Sequence, residues 1–287
     1  RLKPSLSCGP DGTPSSILKA YGSKFVPVLT TIFINCLDTS TFLSMWKTAR
    51  VFSVFRSDSK TDVSNYRPMS LLCATSKIFQ LALHNIASFV VKNSSIPNQH
   101  GFLAGRSTTT NLASFMTQIS TPFSQRGQVD VIYSDLSKAF DVVSHSLIMV
   151  KRAQFDVDLS VLNLLHNYLL NRSYYVAING QSSSLYKVTS GVPQGLVLGI
   201  LLFLIYVIDV SFSIRYSSFL LYADDIKIFK EICSVNDCRL LQSDLCSFSE
   251  WCNCNNLSLN TSMTKFMSIT RKTSSVSFEY SFNSVSL

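Results

Sequence analysis

Apolar and polar positions follow one period in the first part of this chain and another after about residue 128. Over Arg1 to about Arg126 the apolar positions fall at mixed three- and four-residue spacing, as in SSILKAYGSKFVPVLTTIFINCL, with polar turns between the runs. That spacing predicts helices. NYRPMSLL interrupts the pattern at Pro68, and a second helical stretch is predicted from about Ala74 to Val91. The Ser, Asn and Pro cluster KNSSIPNQ then predicts a loop.

From Val129 the texture changes. VDVIYSD predicts a short apolar strand running into Asp135, followed by helical patterns through HSLIMVKRAQF and LSVLNLLHNYLL. YYVAING and SLYKVTS predict a hairpin across GQSS, and SGVPQG a constrained turn. The run Leu196 to Ile208 is short for a bilayer span and ends at Asp209, which predicts a buried helix. SSFLLYADDIKIF predicts two strands meeting at a tight turn. A helix from about Val235 to Cys254 would put Leu241, Leu245, Phe248 and Cys252 on one core-facing stripe. TKFMSIT predicts a last strand, and the serine-rich tail from Thr273 is expected to fray. Helix-rich first and mixed afterwards, with no internal repeat, the order predicts an α+β chain of two subdomains meeting near residue 128.

Composition narrows the function classes. Hydrophobic residues at 46% and charged residues at 15% exclude a disordered chain. Lys and Arg number 25 against 17 Asp and Glu, a net charge of +8. That excess points to a polyanionic partner, nucleic acid or an anionic surface. The eight cysteines lack disulfide-framework spacing; five lie between Cys233 and Cys254 with no C-x-x-C pair and no nearby His to complete a zinc site. They read as reduced, mostly packed thiols of an intracellular protein. No signal-peptide pattern opens the chain.

The carboxylates carry the chemistry. Two adjacent anions, Asp224 and Asp225, stand between apolar runs, and Asp135 ends the earlier strand. If the strands are neighbours in one antiparallel sheet, three carboxylates converge at its edge. Such a cluster suits two divalent ions for phosphoryl transfer. Taken singly, a strand-ending Asp is a common turn former. Between the acids, SGVPQG offers close backbone approach and the Gln194 amide as a donor to phosphate or base edges.

NYRPMSLL, NQHGFLAGRSTTTNL, YSDLSKAFDVVSH, SGVPQG with LVLGILLF, LLYADDIKIF and WCNCNNLSLN occur in this order. Together they resemble the reverse transcriptase of non-LTR, LINE-type retrotransposons, and within that group the arthropod jockey-like and R-element-like lineages. The likeness runs from SCGPDGTP to about Arg271. It implies a right-hand polymerase: fingers over 1–128, a palm over 129–272 whose antiparallel sheet is flanked by helices, and a tail over 273–287 where a truncated thumb would begin.

The resemblance implies RNA-directed DNA polymerase activity, with an RNA template, a DNA primer, dNTPs and two Mg²⁺ ions for which Mn²⁺ can substitute. It makes Asp135, Asp224 and Asp225 the metal ligands. Leu136, Phe140, Gln194, Gly195 and Arg67 would meet the nucleotide, with Phe140 excluding a 2′-hydroxyl. Arg106, Tyr222 and Lys265 would meet template and primer. It also implies a protein acting inside the cell, at the nucleus or in a cytoplasmic ribonucleoprotein, without a membrane; it leaves the oligomeric state open.

Three positions depart from the family pattern: Leu196 and Ile200 replace a small polar residue and a proline, and Met263 replaces a lysine for which Lys265 could substitute. With no endonuclease before the fingers and little chain after Arg271, the expectation is a fragment of a larger polyprotein. The rival expectation is a silent remnant that only binds nucleic acid; maturases and telomerase-like polymerases are more distant alternatives.

Overall fold

The computed structural model describes every residue except 1–4, 6, 57, 58, 95, 96, 152–158, 179, 262, 283 and 284. In chain order its helices and strands are α1 (Ser15–Ala20), α2 (Gly22–Asp38), β1 (Thr48–Phe55), β2 (Tyr66–Leu71), α3 (Ala74–Ser94), α4 (Thr108–Ser124), β3 (Gln128–Ser137), α5 (Ala139–Val142), α6 (His145–Lys151) and α7 (Leu159–Leu169). They continue as β4 (Ser173–Ile178), β5 (Gln181–Ser182), β6 (Tyr186–Lys187), α8 (Val197–Tyr206), β7 (Ser218–Tyr222), β8 (Asp225–Glu231), α9 (Val235–Cys254), β9 (Ser258–Leu259), β10 (Lys265–Thr270), β11 (Ser281–Phe282) and β12 (Val285–Ser286). The fold is mixed α+β, and the chain forms two compact units, each discontinuous in sequence: 1–93 with 144–205, and 94–143 with 206–287.

The first unit contains a sheet in the order β2-β1-β4-β5, with β6 also paired to β4. Here the helical expectation for the N-terminal region is corrected, because VFSVF and NYRPMSLL form the antiparallel pair β1–β2. Pro68 is tolerated because β2 is an edge strand, where a missing N–H costs no ladder bond on the open side. β1 pairs in parallel with β4, Thr48 opposite Ser173. Aromatic rings from α2, α3, α7 and the 42–46 turn fill the space nearby: Phe42 meets Tyr168 edge-on at 5.0 Å, and Phe33 meets Phe79 at 4.9 Å. Leu196 is buried with Ala49 and Leu72, so the departure from a small polar residue serves the core of this unit.

The second unit is built on a sheet in the order β10-β3-β8-β7, with β9 paired to the end of β3. β3 is central and buried along most of its length, which is why VDVIYS reads as a nearly continuous apolar run. Alternation sends Val129 and Val131 to one face, where Phe115 and Ile119 of α4 pack with Leu220 and Phe229. Phe115 meets Phe229 edge-on at 5.0 Å. Ile132, Ile226 and Ile228 alternate to the opposite face and are buried. α9 packs against β8, and its predicted stripe of Leu241, Leu245, Phe248 and Cys252 is fully buried. Each leucine of that stripe contributes roughly 1.5–3 kcal/mol by leaving water.

The serine-rich tail does not fray throughout. Tyr280 and Phe282 are buried, Phe282 stacks on Phe248 at 6.1 Å, and the Tyr280 hydroxyl donates to the Asp130 carboxylate at 2.8 Å. Gln128 Nε2 at 3.0 Å and Ser268 Oγ at 2.6 Å also donate to Asp130. A buried carboxylate is tolerated when several donors replace its water. Burial, then the hydrogen bonds to Cys238 and Asp130, push the Tyr280 hydroxyl far above its ordinary range.

Candidate active site

β3 and β8 are adjacent and antiparallel, and their register places Asp135 directly opposite Asp225. β7 and β8 are joined by a two-residue loop, with Tyr222 opposite Asp225 and Ala223 and Asp224 at the tip. Strand-end carboxylates far apart in the sequence are therefore brought to one sheet edge. Opposed residues of an antiparallel pair hold their Cβ atoms roughly 4.5–5.5 Å apart.

Electrostatics mark the pair. Partial burial, and then the charge of Asp135, raise the Asp225 carboxyl above its ordinary value. Three converging carboxylates were expected. Among the described residues, no three His, Cys, Asp or Glu side chains gather into a ready metal cage. Asp135 and Asp225 are opposed, and Asp224 is at the loop tip beside them. Hard carboxylate oxygens are the donor type that suits a divalent ion.

The loop itself is constrained. Ala223 has φ 60°, a left-handed value that a hairpin usually gives to glycine at the first loop position. The segment Asn98–Gly101 fixes it there. The Ala223 N–H donates to Gln99 Oε1 at 3.0 Å, and Gln99 Nε2 donates to the Ala223 carbonyl at 3.2 Å. Gln99 Oε1 also accepts from Gly101 N–H at 2.7 Å. Leu221 N–H donates to the Asn98 carbonyl at 2.9 Å, and His100 N–H to the Leu221 carbonyl at 2.8 Å. Asn111 of α4 also donates to that carbonyl, at 3.0 Å. A Cβ at Gly101 would lie 2.2 Å from the Ala223 nitrogen, so only glycine fits there. In the sequence this stretch reads as a polar loop running into NQHGFLAGRSTTTNL, and nothing local ties Gln99 to Ala223.

The remaining expected residues are distributed over both units. Leu136 follows Asp135 on β3 and is buried opposite Leu259. Phe140 on α5 is half-buried, its ring edge-on to Phe102 at 5.9 Å. Arg106 donates through Nη1 to the Pro97 carbonyl at 2.6 Å and to the Gln99 carbonyl. Beside it, Ser107 and Thr110 form a reciprocal cap at the start of α4. Lys265 opens β10 opposite Tyr133, so alternation places it on the Asp135 face. Met263 lies in the turn before that strand, its N–H bonded to the Asn260 carbonyl, so the two do not share a strand.

Arg67, Gln194 and Gly195 belong to the first unit. Arg67 is exposed on β2 opposite Val54. The Gln194 carbonyl accepts from Ser70 N–H of the same strand at 3.2 Å. Gly195 has φ 81°, and a Cβ on it would lie 2.6 Å from the end of the Met69 side chain. Of the cysteines, Cys36, Cys73, Cys238 and Cys252 are buried and Cys8 is half-buried, while Cys233, Cys246 and Cys254 are exposed.

Residues 58–280 match the family model described as reverse transcriptase (RNA-dependent DNA polymerase). The chain is 28% identical over 272 residues to the probable RNA-directed DNA polymerase from transposon X-element of Drosophila melanogaster, covering 92% of this chain and 30% of that protein. It is 26% identical over 264 residues to the RNA-directed DNA polymerase from mobile element jockey of the same species, covering 88% of this chain and 29% of the relative. The chain thus spans about three tenths of the length of these relatives. Among solved structures it is similar to apo telomerase from Candida tropicalis truncated from the C-terminal domain, with a TM-score of 0.56 and 10% identity over 89% of this chain and 57% of that one. At that identity the likeness concerns the fold.

Proposed function

Because the chain belongs to the reverse transcriptase (RNA-dependent DNA polymerase) family, we propose that it carries out RNA-templated DNA synthesis as part of a mobile-element protein. A primer 3′-hydroxyl would attack the α-phosphorus of a dNTP, forming the new P–O bond as pyrophosphate leaves. The register of Asp135 against Asp225, at the end of a shared ladder beside the Asp224 loop, carries this reading.

Reverse transcriptases are generally divalent-metal dependent. In this chain Asp135, Asp224 and Asp225 would hold the ions. Bound there, Mg²⁺ would supply the charge that activates the hydroxyl and stabilises the leaving oxygen. Phe140 would close the sugar pocket against a 2′-hydroxyl, next to the backbone of Leu136. Tyr222, one pair from the carboxylates, would pack on the primer end, and Lys265 would neutralise backbone phosphate on the same face. Arg106 commits one nitrogen to loop carbonyls and would offer the rest of its fork to the template. Arg67, Gln194 and Gly195 would serve the triphosphate and template, an Arg fork matching phosphate oxygens. The +8 charge would grip template and primer with salt-sensitive affinity. We assign residues 1–128 to fingers, 129–272 to palm and 273–287 to the edge of a thumb. We place the activity inside the cell, where templates and dNTPs are; no helix among the described residues is long and apolar enough to cross a membrane.

Primer extension on poly(rA)/oligo(dT) with Mg²⁺ or Mn²⁺, comparing the chain with its Asp224→Asn/Asp225→Asn variant, tests the reading. Extension by the parent alone is expected. Extension by the variant overturns the metal-site assignment. Absence of extension from both, with salt-sensitive duplex binding, moves the chain to the silent-binder reading that the Met263 and Ile200 departures favour.

A further inference from the structure

We propose that Gln99 is the positioning residue of the active site, holding the strained Ala223 loop in the one conformation that presents Asp224 and Asp225 to a divalent cation. The proposal rests on the catalytic reading above.

The geometry is specific. Gln99 is 2% exposed, and its amide brackets one residue, accepting from the Ala223 N–H and donating to the Ala223 carbonyl. Both peptide groups flanking the left-handed Cα are therefore fixed. A non-glycine residue at positive φ persists only where its surroundings over-determine it. Three supports converge here: the Gln99 amide, the paired strand contacts of Asn98 and His100 with Leu221, and the side-chain-free approach of Gly101. Arg106 fixes the clamp in turn by donating to the Gln99 carbonyl. The residue following Ala223 is Asp224, and the next is Asp225, so a rotation about Ala223 φ re-aims the carboxylates. Outer residues that orient metal ligands typically change metal affinity by about 10- to 100-fold when removed.

The carboxamide is required in one orientation. Oε1 serves two N–H donors, Ala223 and Gly101, and Nε2 serves one carbonyl. Gln99→Glu keeps the acceptor and the shape but loses the donor, and adds a fourth carboxylate beside Asp135, Asp224 and Asp225. Gln99→Ala loses both. In an Ala223→Gly background positive φ carries no penalty for the loop, so the same Gln99→Ala change has less to undo.

The test uses the intact chain and two readouts besides activity: hydrogen–deuterium exchange of the Ala223 amide, and Mn²⁺ affinity by paramagnetic titration. Gln99→Ala is expected to remove the protection of the Ala223 amide and to weaken Mn²⁺ binding about tenfold or more. Protection of the β3 amides, around Val131, should persist and show that the fold survives. In the Ala223→Gly background the loss of Mn²⁺ affinity caused by Gln99→Ala should shrink several-fold. Unchanged Ala223 protection or unchanged Mn²⁺ affinity in Gln99→Ala overturns the clamp. A parent chain that protects Ala223 but neither binds Mn²⁺ nor extends a primer overturns the catalytic reading instead.

Discussion

Replacing Asp225 by Asn removes one of two opposed anions, and the strand register gives the sign of the effect. Asp135 and Asp225 are a directly opposed pair. Two unit charges about 5 Å apart repel by about 0.8 kcal/mol in bulk water, and by more at lower effective dielectric. More than a third of Asp225 is exposed, so solvent screening keeps the repulsion near the water value despite its partial burial. In chelator at neutral pH, Asp225→Asn is therefore expected to raise the melting temperature by about 2 °C while abolishing metal-dependent extension.

The pH dependence follows from the direction of the Asp225 shift. Its carboxyl is raised above the ordinary 3.8, so between 3.8 and the raised value the folded chain binds the extra proton. Parent stability falls as pH rises through that window, and the penalty is complete above it. The advantage of the Asn variant should be largest at neutral pH and vanish as pH falls below about 4. Added Mg²⁺ should stabilise the parent by mass action and the variant less. Circular-dichroism melts of both proteins, with chelator and with Mg²⁺ at several pH values, measure all of this. A variant no more stable than the parent in chelator at pH 7 would refute the reasoning that the pair is held against repulsion.

Further outcomes are expected elsewhere. Phe140→Ala should raise ribonucleotide over deoxyribonucleotide incorporation on the order of tenfold; an unchanged ratio in single-nucleotide assays would leave Phe140 as a packing partner of Phe102. Tyr280→Phe should cost about 1–3 kcal/mol, read as a lower denaturant midpoint, because a buried carboxylate loses a donor. In native thiol labelling, Cys233, Cys246 and Cys254 should react readily, whereas Cys252, whose thiol burial pushes up to about 12, should stay inert until unfolding; rapid native labelling of Cys252 would contradict its placement in the α9 stripe.

What the sequence made legible was local. The α9 stripe, the β3 run into Asp135 and the paired acids each declare themselves within a few residues, because periodicity and turn chemistry are short-range signals. β1 did not, since its partner β4 lies more than 100 residues away and only Ala49 and Val51 of its apolar residues are buried. Phe52, Val54 and Phe55 are exposed, so β1 lacks the in–out alternation that marks a half-buried strand. The tail hid an alternation: Val276, Phe278, Tyr280 and Phe282 are spaced by two among serines and are at least half-buried, a strand-period signal masked by polar composition. Gln99 left no periodic trace, because its role consists of hydrogen bonds to a residue 124 positions away.

The central position of β3 has a consequence for how this chain is made. Its ladder partner β8 leaves the ribosome roughly 90 residues later, an interval of about 5–20 s at ordinary synthesis rates, and β10 emerges later still. During that interval VDVIYS is an apolar segment without its neighbours, the kind of stretch that pairs with another copy if left uncovered. α4, synthesised just before it, is the available cover, carrying Phe115 and Ile119 to the face of Val129 and Val131. The amphipathic helix is thus placed, by chain order and by packing, to shield this face of the strand before β8 is made.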